Sequence, residues 1–258
     1  MFVTLTISFG LPLGLALFAR LRWGRSFSFI PLLAGCAAFV VSQIILRTAL
    51  LQGILPLFDW YRAFAEMKWP FYIFLSFTAG LFEEPARYIV FSLMKKRRSF
   101  VDGLSYGIGH GGTEAILLIG LTYVNNIILS LVLNGGYALP DAYVTALTGT
   151  PSYLFLVAGI ERIFAVTFQI ALSLLVLQGF RSRKKLRYLL VAILLHGCAN
   201  LGAFAFNFLG TLLFYDENLG GVLVSELFLL IVATLSVWYI VTRAREWREE
   251  APPLLEGI

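Results

Sequence analysis

Apolar residues run on for about 20 positions at a time along this chain, and short polar clusters separate the runs. A helix of about 20 apolar residues spans the roughly 30 Å hydrocarbon core of a bilayer. Seven windows meet that length: roughly 2–19, 27–46, 69–94, 102–133, 152–180, 187–210 and 221–242. The pattern predicts an all-α, polytopic transmembrane helix bundle of about seven spans, with residues 1–258 forming a single integral membrane domain. The fourth window is overlong, so strong tilt, a kink near Gly107–Gly112 or an extension beyond the bilayer is expected. Between the second and third windows, "LFDWYRAFAEMKW" mixes aromatic and charged residues and reads as an interfacial helix. "NGGYALPDAY" reads as a turn and loop, and residues 249–258 read as a mobile tail.

Composition agrees with the pattern. The chain is 59% hydrophobic and only 14% charged, against about 25% charged in soluble domains. Its pI near 9.3 would suit nucleic acid, but the placement of the cations excludes that partner. They gather in four short clusters: Arg20, Arg22 and Arg25; Lys95, Lys96, Arg97 and Arg98; Arg181, Arg183, Lys184, Lys185 and Arg187; Arg243, Arg245 and Arg248. Putting all four inside orients the chain with its N-terminus outside and its C-terminus cytoplasmic, as a multi-pass protein of the cell membrane. The loops then left outside (47–68, 134–151 and 211–220) hold Arg47, Arg62 and Lys68 as their only basic residues. Two cysteines, Cys36 and Cys198, make neither a disulfide framework nor a CxxC metal knot. The N-terminus has no basic region and reads as a retained first helix.

Against this background the stretch "GLFEEPARYIVF", residues 80–91, is costly. An ionisable side chain at the bilayer centre costs on the order of 3 kcal/mol, so each needs a partner or a task. The third window holds Glu83, Glu84 and Arg87; the fourth holds His110 and Glu114; the fifth holds Glu161 and Arg162. The sixth holds His196 with Asn200, and Glu226 lies about one turn inside the seventh. Glu83–Arg87, His110–Glu114 and His196–Asn200 are spaced i,i+4, which puts each pair on one helix face. Counted at about 1.5 Å per residue, three helices present these pairs in one layer near mid-membrane. A structural ion pair within "EEPAR" and a packing histidine are ordinary readings taken singly. The chain's only two histidines both fall in this layer, however, and that favours a working site. The adjacent Glu161 and Arg162 point about 100° apart, so one of them is expected to pair across helices in a structural role.

In order along the chain, Glu83-Glu84-x-x-Arg87, Tyr106-x-x-x-His110 and His196-x-x-x-Asn200 resemble the CAAX-endopeptidase/bacteriocin-processing and PrsW-like superfamily of intramembrane proteases. "EEPAR", "SYGIGHGGTEAI", "GIERIFAVTF" and "LLHGCAN" are most similar to its YhfC branch. The wider superfamily pattern is EExxxR, FxxxH and HxxxN/D; here the first motif is one residue shorter and Tyr106 replaces the Phe. Gln169 stands about where the YhfC pattern often has a histidine after its "ER" pair.

The resemblance implies an intramembrane peptidase acting on a membrane-embedded or lipid-anchored peptide or protein. Glu83 or Glu84, with His110, would activate a water; His196 and Asn200 would stabilise the oxyanion; Arg87, Glu114 and Glu161 would support them. A metal-assisted version is a rival, with zinc as the cofactor and His110, Glu114 and His196 as ligands, a set suited to a catalytic zinc with one open position. The chain lacks HExxH, which ranks the metal-free version first. From a different class, an ion-coupled transporter would use the same buried Glu/His/Arg set as a proton relay, although no inverted repeat is visible.

Overall fold

Backbone in hydrocarbon must satisfy its own N–H and C=O groups, so long apolar runs become long helices. The computed structural model describes residues 1–214 and 219–249, and among these every regular element is helical. In chain order they are α1 (Phe2–Trp23), α2 (Phe29–Phe39), α3 (Asp59–Ala65), α4 (Lys68–Leu93), α5 (Phe100–Glu114), α6 (Leu121–Asn134), α7 (Asp141–Thr148), α8 (Ser152–Arg181), α9 (Lys185–Phe214) and α10 (Leu219–Glu249). Among the described residues six stretches are long and apolar enough to cross a membrane: Phe2–Ser26, Phe29–Leu57, Phe100–Asn134, Ser152–Arg181, Lys185–Phe214 and Leu219–Trp247. The expected third span is α4. Its 26 residues suffice in length, but its acids and arginine lower its apolar content. The tail expected beyond α10 lies outside the described residues.

Two boundaries differ from the expectation, each for a visible reason. The second span does not end at residue 46; it continues in wider, π-helical turns over Val40–Ile54. Arg47, expected in an outer loop, lies inside it. Its guanidinium reaches α4, donating to the Leu75 carbonyl at 2.8 Å and the Thr78 hydroxyl at 3.2 Å, so the cation is satisfied without leaving the helix. Through Gly107–Gly112, where a kink was one expectation, the overlong span is unbroken α-helix. The irregular turns come later, at Ala115–Gly120 between α5 and α6.

The glycines instead set how closely helices approach α5. A Cβ at Gly109 would collide with the Leu32 carbonyl of α2, and one at Gly107 would lie 2.6 Å from the Ile170 Cα of α8. Such close backbone approach is the usual service of small residues between membrane helices. As a result α5 is central, packed by α1, α2 and α8, and every residue from Val101 to Gly112 is buried. Its start is fixed by a capping box in which Ser99 Oγ accepts from the Asp102 N–H at 3.1 Å and Asp102 Oδ2 accepts from the Ser99 N–H at 3.0 Å. On the other side α9 packs between α4 and α10.

The four basic clusters share one end of the bundle. Trp23 at the end of α1 packs on Phe100, and Phe100 on Trp247 near the end of α10, at ring separations of 6.2 and 6.1 Å. Arg181 lies 4.3 Å over the Trp247 ring, and Arg98 4.6 Å over Phe180. The chain segments that follow α1, α4 and α8 therefore meet the end of α10, as the charge pattern requires of one membrane side.

Candidate active site

α4, α5, α8 and α9 bring their polar side chains together in the buried middle of the bundle. On α4, successive positions Glu83 and Glu84 point about 100° apart around the helix axis, and each meets a different histidine. Glu83 Oε2 faces His110 Nε2 of α5 at 3.0 Å; Glu84 Oε1 faces His196 Nδ1 of α9 at 2.9 Å. One turn further along α4, Arg87 pairs with Glu84 Oε2 at 3.1 Å. Glu84, Arg87 and His110 side chains are fully buried, whereas Glu83 and His196 keep 4% and 5% of theirs accessible.

Aromatic rings hold both imidazoles. Phe39 meets His110 edge-on at 5.4 Å while Tyr106, one turn away, lies nearly parallel to it at 5.9 Å. Phe168 of α8 meets His196 edge-on at 6.1 Å. Such contacts leave a ring little freedom to turn. His110 is thus fixed with Nε2 on Glu83, and its Nδ1 has no protein partner among the described residues.

A residue singled out in the sequence only as a departure from a motif joins this cluster. Gln169 of α8 is buried, and its amide nitrogen donates to Glu83 Oε2 at 3.1 Å and to Glu114 Oε2 at 2.8 Å. Its amide oxygen accepts from Arg87. The i,i+7 spacing from Arg162, two turns along one face, was the signal available for it. Glu114 therefore bonds Gln169 rather than a histidine: its carboxylate also faces Arg162 Nη1 at 3.4 Å, and Arg162 in turn pairs with Glu161. Of the adjacent Glu161 and Arg162, Arg162 is thus the one that pairs across helices, with Glu114.

Beside the cluster lies a cavity of about 250 Å³, walled in part by Glu114, Arg162, Gln169, His196 and Asn200. His196 Nδ1 is engaged by Glu84, which leaves Nε2 for the cavity. Asn200, one turn on, is exposed to the same space. A larger apolar groove of about 470 Å³ between α8, α9 and α10 shares Phe168, Ala199 and Val232 with this cavity.

Two imidazoles and two carboxylates are donor types that suit a divalent ion, but their arrangement does not. Each ring nitrogen that faces the cluster is engaged by one carboxylate, and Glu114 is turned to Gln169 and Arg162. Among the described residues no three His, Cys, Asp or Glu side chains converge as ligands.

Residues 7–212 match the family described as YhfC intramembrane metalloprotease. The chain is also similar to the "Uncharacterized membrane protein YhfC" of Bacillus subtilis (strain 168), with 32% identity over 251 residues and 93% of each chain covered. No solved structure matches it.

Proposed function

The chain belongs to the YhfC family, and from that premise we propose that this multi-pass protein is an intramembrane peptidase with Glu83 as the base. One observation above all supports the reading: adjacent glutamates of one helix each engage a histidine from a different helix, beside a cavity that His196 and Asn200 line. Peptide hydrolysis needs a held water, a base for its proton and donors for the oxyanion.

The accessible surface distinguishes the two acids. Glu84 is sealed between Arg87 and His196, so its charge is spent on holding them. Glu83 keeps a small accessible area, and both its donors, His110 and Gln169, bind Oε2. Oε1 is left to take a proton. A water against Oε1 attacks the scissile carbonyl carbon and gives its proton to Glu83. The developing oxyanion accepts from the Asn200 amide and from His196 Nε2–H, the imidazole being doubly protonated with its Nδ1–H held by Glu84. Glu83 then returns the proton to the departing amine as the C–N bond breaks. No step here runs through a metal: among the described residues no three His, Cys, Asp or Glu side chains converge as ligands.

The substrate is a peptide segment in or at the membrane, reaching the cavity from its apolar side. Profiling of membrane-associated peptides tests this, comparing wild type with Glu83→Gln and Asn200→Ala in cells. Peptides whose termini vanish equally in both variants are expected. Identical peptide sets in all three strains, with the variants folded and inserted, would leave the peptidase reading without support.

A further inference from the structure

We propose that Gln169 is a positioning residue that orients Glu83 by a donor whose charge never changes; this rests on Glu83 being the base. The amide of Gln169 meets three charged groups at once. Its oxygen accepts from Arg87, and its nitrogen donates to Glu83 Oε2 at 3.1 Å and Glu114 Oε2 at 2.8 Å. Only one orientation of an amide suits those partners: flipped, it would set N–H against a guanidinium and a carbonyl against two carboxylates.

Both N–H bonds of Gln169 and an oxygen lone pair are thereby used, and the side chain is buried. No other side chain of similar size does this. An imidazole has two ring nitrogens for three partners, and a carboxylate offers no donor without a proton. Leucine is nearly isosteric and supplies none. The α8 amide therefore links α4 to α5 and places Glu83 so that Oε1, not Oε2, stays open. His110 and Gln169 reach Oε2 from two different helices, so the carboxylate cannot rotate without breaking both bonds.

The test uses the full-length protein in detergent or bilayer, with a synthetic peptide taken from the sequences lost in the Glu83→Gln strain. In Gln169→Leu, turnover is expected to fall by on the order of 10- to 100-fold, as leaving a buried acceptor without its donor implies. KM should stay within about twofold, because a base positioned only for the transition state does not hold substrate. The charge-conserving double variant Gln169→Glu/Glu114→Gln separates positioning from packing. It reverses the 169–114 hydrogen bond, turns the Arg87 contact into an ion pair, and removes the donor to Glu83. Thermal stability should return towards wild type while turnover stays low.

A second readout needs no substrate. The infrared carboxylate band of Glu83, assigned as the difference between wild type and Glu83→Gln, should shift in Gln169→Leu and remain shifted in the double variant. Full recovery of turnover and of that band in the double variant would overturn the proposal, as would an unmoved band in Gln169→Leu. If Glu83→Gln itself leaves every peptide in place, the peptidase reading fails instead, and the band still decides whether Gln169 holds the carboxylate.

Discussion

His196 Nδ1 lies 2.9 Å from Glu84 Oε1, and the second oxygen of that carboxylate lies 3.1 Å from Arg87 Nη1. One buried acid thus serves two positive or donating groups, from its own helix and from α9. Removing one member of such a buried set leaves an uncompensated charge. Arg87→Met is expected to destabilise the protein by about 3–5 kcal/mol. Adding Glu84→Gln should recover a large part of that loss, because the unpaired carboxylate goes with it. Thermal unfolding of the single and double variants in detergent measures the difference. Equal loss in both would show that the ion pair is not what holds α4 in place.

Asn200 tests the other half of the site. It is exposed to the cavity, so Asn200→Ala should fold as well as wild type. Losing one oxyanion donor typically lowers turnover by about 10²–10³-fold. Asn200→Asp, similar in shape, sets a carboxylate where a donor is needed and should be no better than alanine. Turnover of a peptide defined by the profiling experiment checks both. An Asp variant that works as well as wild type would assign the residue to shape alone.

Much of this arrangement was legible from residue spacing. Mid-membrane depth and i,i+4 spacing placed Glu83, Glu84, Arg87, His110, His196 and Asn200 in one layer, and the first five do make direct contacts. The pairing of each glutamate with a separate histidine was not legible, because it depends on the rotation of α4 against α5 and α9. Glu114 illustrates the limit. It shares a helix face with His110 by spacing, yet Arg162 and Gln169 of α8 draw its carboxylate away. Arg47 was misplaced for a related reason: a charge usually ends a span, unless a neighbouring helix offers it acceptors, as α4 does here.

The glycines of α5 give a stability prediction that is separate from chemistry. A Cβ at Gly109 meets the Leu32 carbonyl, a backbone atom that cannot swing aside. Gly109→Ala is therefore expected to push α2 from α5 and to cost about 1–3 kcal/mol, as overpacking does. Phe39 would move with α2, loosening the edge-on contact that fixes His110. Gly14→Ala is the control, since a Cβ there has nothing within 4 Å. Unfolding temperatures of the two variants should differ in that order.

Metal dependence is the point on which the family's description and this geometry pull apart. The ring nitrogens open to an ion are those the carboxylates leave free, His110 Nδ1 and His196 Nε2, but among the described residues no three His, Cys, Asp or Glu side chains converge as ligands. The rings are also wedged by Phe39, Tyr106 and Phe168, so rotating them costs packing as well as hydrogen bonds. Cleavage should accordingly persist after exhaustive chelation. Excess zinc should inhibit, since two imidazoles and two carboxylates are suitable donors once their protons are displaced. Elemental analysis and activity measured on the same chelated sample decide the matter. If the purified protein holds one zinc per chain, and activity disappears with that zinc and returns on its addition, the metal-free mechanism fails.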